Sequence, residues 1–151
     1  MAQRIDYRNV APDAVQTMRG LERYVRASGL EPSLLELVKI RASQLNGCAY
    51  CLDMHSKDAR AAGETEQRLY VLAAWQEAPF YTPRERAALA WTEAVTNISS
   101  GISDALFKAT AKLFSEKEMV DLTMAIVAIN GWNRLAIAMG SEVGSYRPRG
   151  G

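Results

Sequence analysis

Cysteine and histidine are nearly absent from this sequence: two cysteines and one histidine stand in 151 residues. As a structural staple the pair, Cys48 with Cys51, is poorly placed, because a bridge across so small a loop restricts the unfolded chain little, and no second C-x-x-C is present to complete the two-knuckle zinc sites common in small proteins. Strand signals are missing too, because no run of four to eight residues alternates β-branched and polar side chains between turn markers. Charge of one sign is lacking. Eighteen basic residues against seventeen acidic ones leave a net charge of +1, too small a bulk field to favour nucleic acid or an anionic membrane. The longest clean apolar run, residues 124–129, is far too short to span a bilayer, and the opening residues lack the apolar core of a signal peptide. No Gly, Pro or Ser stretch is long enough to make a disordered linker. These absences lead us to expect one compact domain over residues 1–151, cytoplasmic, with neither a membrane nor a nucleic acid as partner.

What is present is helix punctuation. Pro12 opens a helix that Ser28-Gly29 closes, and Pro32 opens a second that runs to Asn46-Gly47. Gly63 ends a third that begins near Cys48, and Thr65 caps a fourth holding Leu69, Leu72 and Trp75. Thr82-Pro83-Arg84-Glu85 forms a capping box for a fifth, and residues 97–101 read as a loop. Ser103 caps a short sixth helix, and Ser115 with Glu118 boxes the start of a last one over residues 116–139. The predicted class is all-α, with six to seven helices. The last helix is apolar on most sides, which suits either a central core helix or burial against another subunit. Trp75, Trp91 and Trp132 read as core, and so do Met18, Met54, Met119, Met124 and Met139. Asn130, Asn133 and Arg134 read as packing contacts, Lys39 and Arg41 as solvated or paired, and the tail from Tyr146 to Gly151 as a frayed end.

Both cysteines and the histidine fall within eight residues, Cys48 to His55. On a helix Cys51 and His55 share a face one turn apart, with Cys48, Leu52, Ala59 and Ala62, while Tyr50, Asp53, Ser56, Lys57 and Arg60 take the other. A thiol at a helix start gains from free backbone N–H groups and the dipole, and a neighbouring imidazole can take its proton. If the second and third helices fold back at Asn46-Gly47, Glu36 and His55 lie at heights differing by only ~5 Å, so the carboxylate can orient the histidine. Against this, Glu36 lies off the main apolar stripe of Leu34, Leu35, Val38, Ala42 and Leu45, the usual place of a solvated surface acid.

The order Glu36, eleven residues, Cys48, two residues, Cys51, three residues, His55 resembles the motif of the alkylhydroperoxidase D family, within the carboxymuconolactone decarboxylase superfamily. Ser43-Gln44-Leu45-Asn46-Gly47-Cys48-Ala49-Tyr50-Cys51 and Asn130-Gly131-Trp132-Asn133-Arg134-Leu135-Ala136 carry the same likeness, which covers residues 32–136. The resemblance implies an all-helical homotrimer or homohexamer that reduces hydroperoxides in antioxidant defence. It implies Cys51 as the peroxidatic cysteine, Cys48 as the resolving one, His55 as base or proton relay, and Glu36 as its partner. No bound cofactor or metal is implied; an external dithiol, in the family a lipoyl group on a carrier protein, reopens the disulfide. The chain departs from some members at Tyr50, where they carry a second histidine. Helix-end reasoning by itself favours Cys48 as the more acidic thiol.

Three other readings use the same residues. Cys48, Cys51, His55 and Glu36 could ligate zinc. A helical redox switch or disulfide-exchange module would cycle the pair with little peroxide turnover. A decarboxylase reading follows from the superfamily's name, but that branch generally lacks the C-x-x-C.

Overall fold

The computed structural model describes residues 3–148. It is all-helical. Eight α-helices run in chain order among the described residues: α1 (Tyr7–Val10), α2 (Pro12–Arg26), α3 (Pro32–Asn46), α4 (Ala49–Ala61), α5 (Glu66–Tyr70), α6 (Pro83–Thr96), α7 (Asp104–Ala111) and α8 (Glu116–Met139). The capping chemistry fixes most boundaries. At α6 the Thr82 hydroxyl accepts the Glu85 N–H while the Glu85 carboxylate accepts the Thr82 N–H; Ser115 and Glu118 repeat the arrangement at α8. Each such cap contributes about 1 kcal/mol.

Helix α3 is the hub, packed against α4, α6 and α8. Its Leu34, Leu35 and Val38 enter a core shared with Val25, Trp91, Leu122 and Ile126. Its Leu37 and Ile40 enter a second core with Leu72, Trp75 and Leu89. Ala42 enters a third with Cys48, Cys51, Ile129 and Ala136. A helix buried on three sides has little solvated face left, and burying each large aliphatic side chain contributes about 1.5–3 kcal/mol. Asn133, fully buried on α8, locks the end of α3 by donating to the Ser43 hydroxyl (3.0 Å) and accepting from Asn46 (2.9 Å).

Several expectations change. Helix α2 stops at Arg26, two residues short of the predicted end. Thr65 caps α5 as expected, but the helix breaks after Tyr70 and a 3-10 turn over Leu72–Ala74 follows, because Leu72 and Trp75 turn inward onto Leu37 and Ile40. The expected loop at residues 97–101 contains a 3-10 turn, Ile98–Ser100. Helix α1, capped by the Asp6 carboxylate, was not foreseen and raises the count from seven to eight. Helix α8 is long and apolar enough by composition to cross a membrane, yet it packs against α2, α3, α4, α6 and α7 as a core element. Its outward side exposes Val120, Val127 and Ile137. The tail is anchored at Tyr146, whose hydroxyl donates to Asp58 (2.7 Å), so fraying does not hold there; residues 149–151 lie outside the described residues.

Candidate active site

Gly47 makes the site possible. Its φ of 69° lies in the left-handed region that a Cβ disfavours, and there the chain leaves α3 and turns straight into α4. Cys48 then becomes the N-cap of α4, with its Sγ 3.3 Å from the Cys51 N–H. The two cysteines are joined as a disulfide, with Cα atoms 5.3 Å apart. Both are buried, packed with Ala42, Ile129 and Ala136 under Tyr50 and Trp132.

His55 lies one turn beyond Cys51 and is also buried. Its Nδ1 is 3.0 Å from Glu36 Oε2 on α3, so the hairpin brings together the carboxylate, imidazole and thiol pair as the spacing predicts. The expectation of a solvated Glu36 is corrected: only 20% of its side chain is exposed, because the hub helix has no broad solvent face. Lys39 is paired, one of its two expected states, and is buried, with Nζ 2.6 Å from Glu22 Oε1 and 3.5 Å from Glu36 Oε1. Arg41 is paired, to Glu93 at 2.8 Å.

Electrostatics follow from this chain of charges. Burial pushes the Glu36 carboxyl up, but the His55 hydrogen bond and charge, with Lys39 behind them, outweigh it and hold the group below its ordinary value. Glu36 is therefore an ionised acceptor, and the hydrogen on His55 Nδ1 donates to it; in the neutral ring the lone pair then falls on Nε2. Such an imidazole can accept a proton from a thiol, and the carboxylate stabilises the imidazolium that results.

Cys51 and His55 line one cavity of about 200 Å³, together with Tyr7, Arg8, Tyr50 and Trp132. Cys48 is not in that lining. Beside it an open groove of about 1100 Å³ runs past Arg19, Arg23 and Arg26, and the two share Met54, Trp132 and Tyr146 as walls. Trp132 and Met54 are thus partly exposed at the site rather than core fillers, whereas Trp75 and Trp91 are core as expected. Tyr50, assigned by the helical wheel to the outward face, packs over the cysteines, and Ala62, assigned inward, is exposed past the end of α4. Among the described residues no group of three or more His, Cys, Asp or Glu side chains is arranged for a metal ion, and in this disulfide neither sulfur is a thiolate ligand.

Arg8 and Glu22 carry no signal in the sequence, and Lys39 and Tyr146 read there as a solvated or paired residue and a frayed end rather than as parts of the site. Arg8 donates to the Tyr50 hydroxyl at 2.7 Å across 42 residues of chain, and Tyr146 reaches Asp58 across 88. No local pattern announces contacts at that separation. Burial and the bond to Asp58 push the Tyr146 hydroxyl up to about 12. Lys39 was legible in part, since a lysine three residues after Glu36 shares its helix face.

Residues 11–94 match the carboxymuconolactone decarboxylase family. An uncharacterised protein of Bacillus subtilis, YdfG, is 46% identical over 146 residues, covering 96% of this chain and 99% of that protein. A crystal structure from Agrobacterium tumefaciens, of a protein of unknown function offered as a candidate antioxidant defence protein AhpD, superposes with a TM-score of 0.92 at 43% identity. It covers 96% of this chain and all of the other. The debrominase Bmp8 has the same fold at 24% identity, with a TM-score of 0.82 over 91% of this chain and 74% of its own. With the family match, the near full-length kinship and the shared fold in agreement, this chain belongs to the carboxymuconolactone decarboxylase family, on its alkylhydroperoxidase D-like side.

Proposed function

We propose that this protein is a thiol-dependent peroxidase that reduces hydroperoxides through Cys51 and Cys48. One observation carries the reading: Cys51 shares a small cavity with His55, and His55 is held at Nδ1 by an ionised carboxylate, Glu36. Fold alone cannot choose the reaction, since a debrominase shares it; the site must.

In the reduced protein His55 takes the Cys51 proton, and Glu36 stabilises the imidazolium. The thiolate attacks the outer oxygen of the hydroperoxide, the O–O bond breaks, and the products are a Cys51 sulfenic acid and an alcohol once a proton reaches the leaving oxygen. Cys48 then attacks the sulfenic sulfur, water leaves, and the disulfide seen here closes. An external dithiol, a lipoyl group on a carrier protein, supplies two electrons and two protons to restore both thiols. The open groove, lined by Arg19, Arg23 and Arg26 and also by Glu22, Asp58 and Glu64, gives such a carrier an approach. We place the protein in the cytoplasm, where a close thiol pair stays reducible, and read the exposed Val120, Val127 and Ile137 on α8 as supporting a homotrimer or homohexamer.

The test is hydroperoxide consumption with dihydrolipoamide as electron source. Wild type should turn over, and Cys51→Ser and Cys48→Ser should each stop cycling. Turnover that persists in both variants would overturn the reading.

A further inference from the structure

Breaking an O–O bond leaves an alkoxide that must be protonated. The His55 imidazolium formed from the thiol proton is one donor, and a second stands close to Cys51. Tyr50 immediately precedes Cys51 in the first turn of α4, and both line the same cavity of about 200 Å³. The Tyr50 hydroxyl accepts from Arg8 Nη2 at 2.7 Å. A guanidinium has only N–H donors, so the phenol oxygen is the acceptor in this contact and the phenol hydrogen stays uncommitted. Among the described residues that hydrogen has no acceptor.

Arg8 is held for the purpose. Its guanidinium lies 5.5 Å from the Tyr50 ring centroid and 5.8 Å from that of Tyr7. Helix α1, which carries it, is tied down by the Asp6 cap and by Arg4 and Ile5 N–H bonds to the Met139 carbonyl. A phenolate formed at Tyr50 would meet the Arg8 charge at hydrogen-bond distance, an ion pair stronger than the cation–phenol bond it replaces.

We propose that Tyr50 is the catalytic acid for the leaving oxygen, with Arg8 as the positioning residue that stabilises its phenolate. This inference rests on the peroxidase reading and adds the proton donor to it. The Cys51 thiolate bonds to the outer oxygen, the O–O electron pair departs on the inner one, and the Tyr50 proton completes the alcohol. The phenolate regains a proton from solvent, to which the His55 imidazolium releases its own. No oxidant or reductant beyond the hydroperoxide and the thiolate is required.

Leaving-group dependence separates this role from a structural clamp. The reduced protein is mixed with cumene hydroperoxide, whose alkoxide needs a proton, or with peracetic acid, whose acetate does not, and thiol oxidation is followed in a single turnover. Tyr50→Phe should slow the cumene hydroperoxide reaction by about tenfold to a hundredfold, at or below the usual range for a general acid, while the peracetic acid rate holds within about twofold. Arg8→Met should show a smaller loss in the same sense, partly restored in Arg8→Lys and absent in the Tyr50→Phe background. Equal losses with both oxidants would make Tyr50 structural, and no loss with cumene hydroperoxide would leave the protonation to His55; either result overturns the inference alone. Wild type that reacts with neither oxidant would overturn the peroxidase reading and the inference with it.

Discussion

Nδ1 of His55 and Oε2 of Glu36 lie 3.0 Å apart, a contact that ties α4 to α3 across a single glycine turn. The carboxylate fixes which ring nitrogen carries the hydrogen, and so decides whether the imidazole can serve the thiol one turn away. Glu36→Gln preserves shape but removes the charge that stabilises the imidazolium. Thiol oxidation by hydroperoxide should slow by about tenfold to a hundredfold, with helix content by circular dichroism unchanged. An unaltered rate would remove Glu36 from the chemistry.

The same contact predicts an acid-side signature. Burial alone would raise the Glu36 pKa, but His55 and Lys39 outweigh it, so the folded value lies below the ordinary 4.5. A carboxyl group with a lower pKa folded than unfolded binds fewer protons in the native state. Its stabilisation is complete above the unfolded value and fades as pH falls through the folded one. In urea titrations the stability gap between wild type and Glu36→Gln should therefore be open above about pH 4.5 and close below it.

Lys39 sits buried between Glu22 and Glu36, at 2.6 and 3.5 Å. Lys39→Met removes the cation that Glu22 and Glu36 share, leaving Glu22 only with Arg26 at 3.9 Å and Glu36 only with His55. Because each keeps about a fifth of its side chain in solvent, the cost should fall near the low end for a broken buried pair, about 3 kcal/mol. Chemical denaturation measures it, and a loss under about 1 kcal/mol would show the pair to be screened as surface pairs are.

Gly47→Ala should destabilise by about 1–2 kcal/mol, because φ is 69° there; the added Cβ meets no neighbouring atom within 4 Å, so the cost is that of the backbone conformation alone. Gly47→Asn should cost less, since asparagine tolerates that region. Equal melting temperatures for wild type and Gly47→Ala would mean that the turn relaxes to another conformation.

Local chemistry made most of the fold legible. Pro12, Pro32, the two capping boxes and Asn46-Gly47 act within a few residues, so the starts of α2, α3, α6 and α8 and the α3–α4 turn could be read directly. The break after Tyr70 could not, because Leu72 and Trp75 answer to Leu37 and Ile40 on another helix. The core of the site was legible for the same reason: Glu36, Cys48, Cys51 and His55 lie on one helical hairpin. The burial of Glu36 was not, since one apolar stripe on α3 does not reveal that α4, α6 and α8 surround it. Arg8 and Tyr146 reach the site from far along the chain, and only the folded structure places them there.

The central claim is that Cys51 attacks the peroxide and Cys48 resolves it. Reduced Cys48→Ser is treated with one equivalent of cumene hydroperoxide and then a sulfenic-acid trap, and the adduct is located by peptide mass spectrometry. A single adduct at Cys51 is the predicted result. An adduct on Cys48 in the complementary Cys51→Ser protein, with none on Cys51 in Cys48→Ser, would contradict the account.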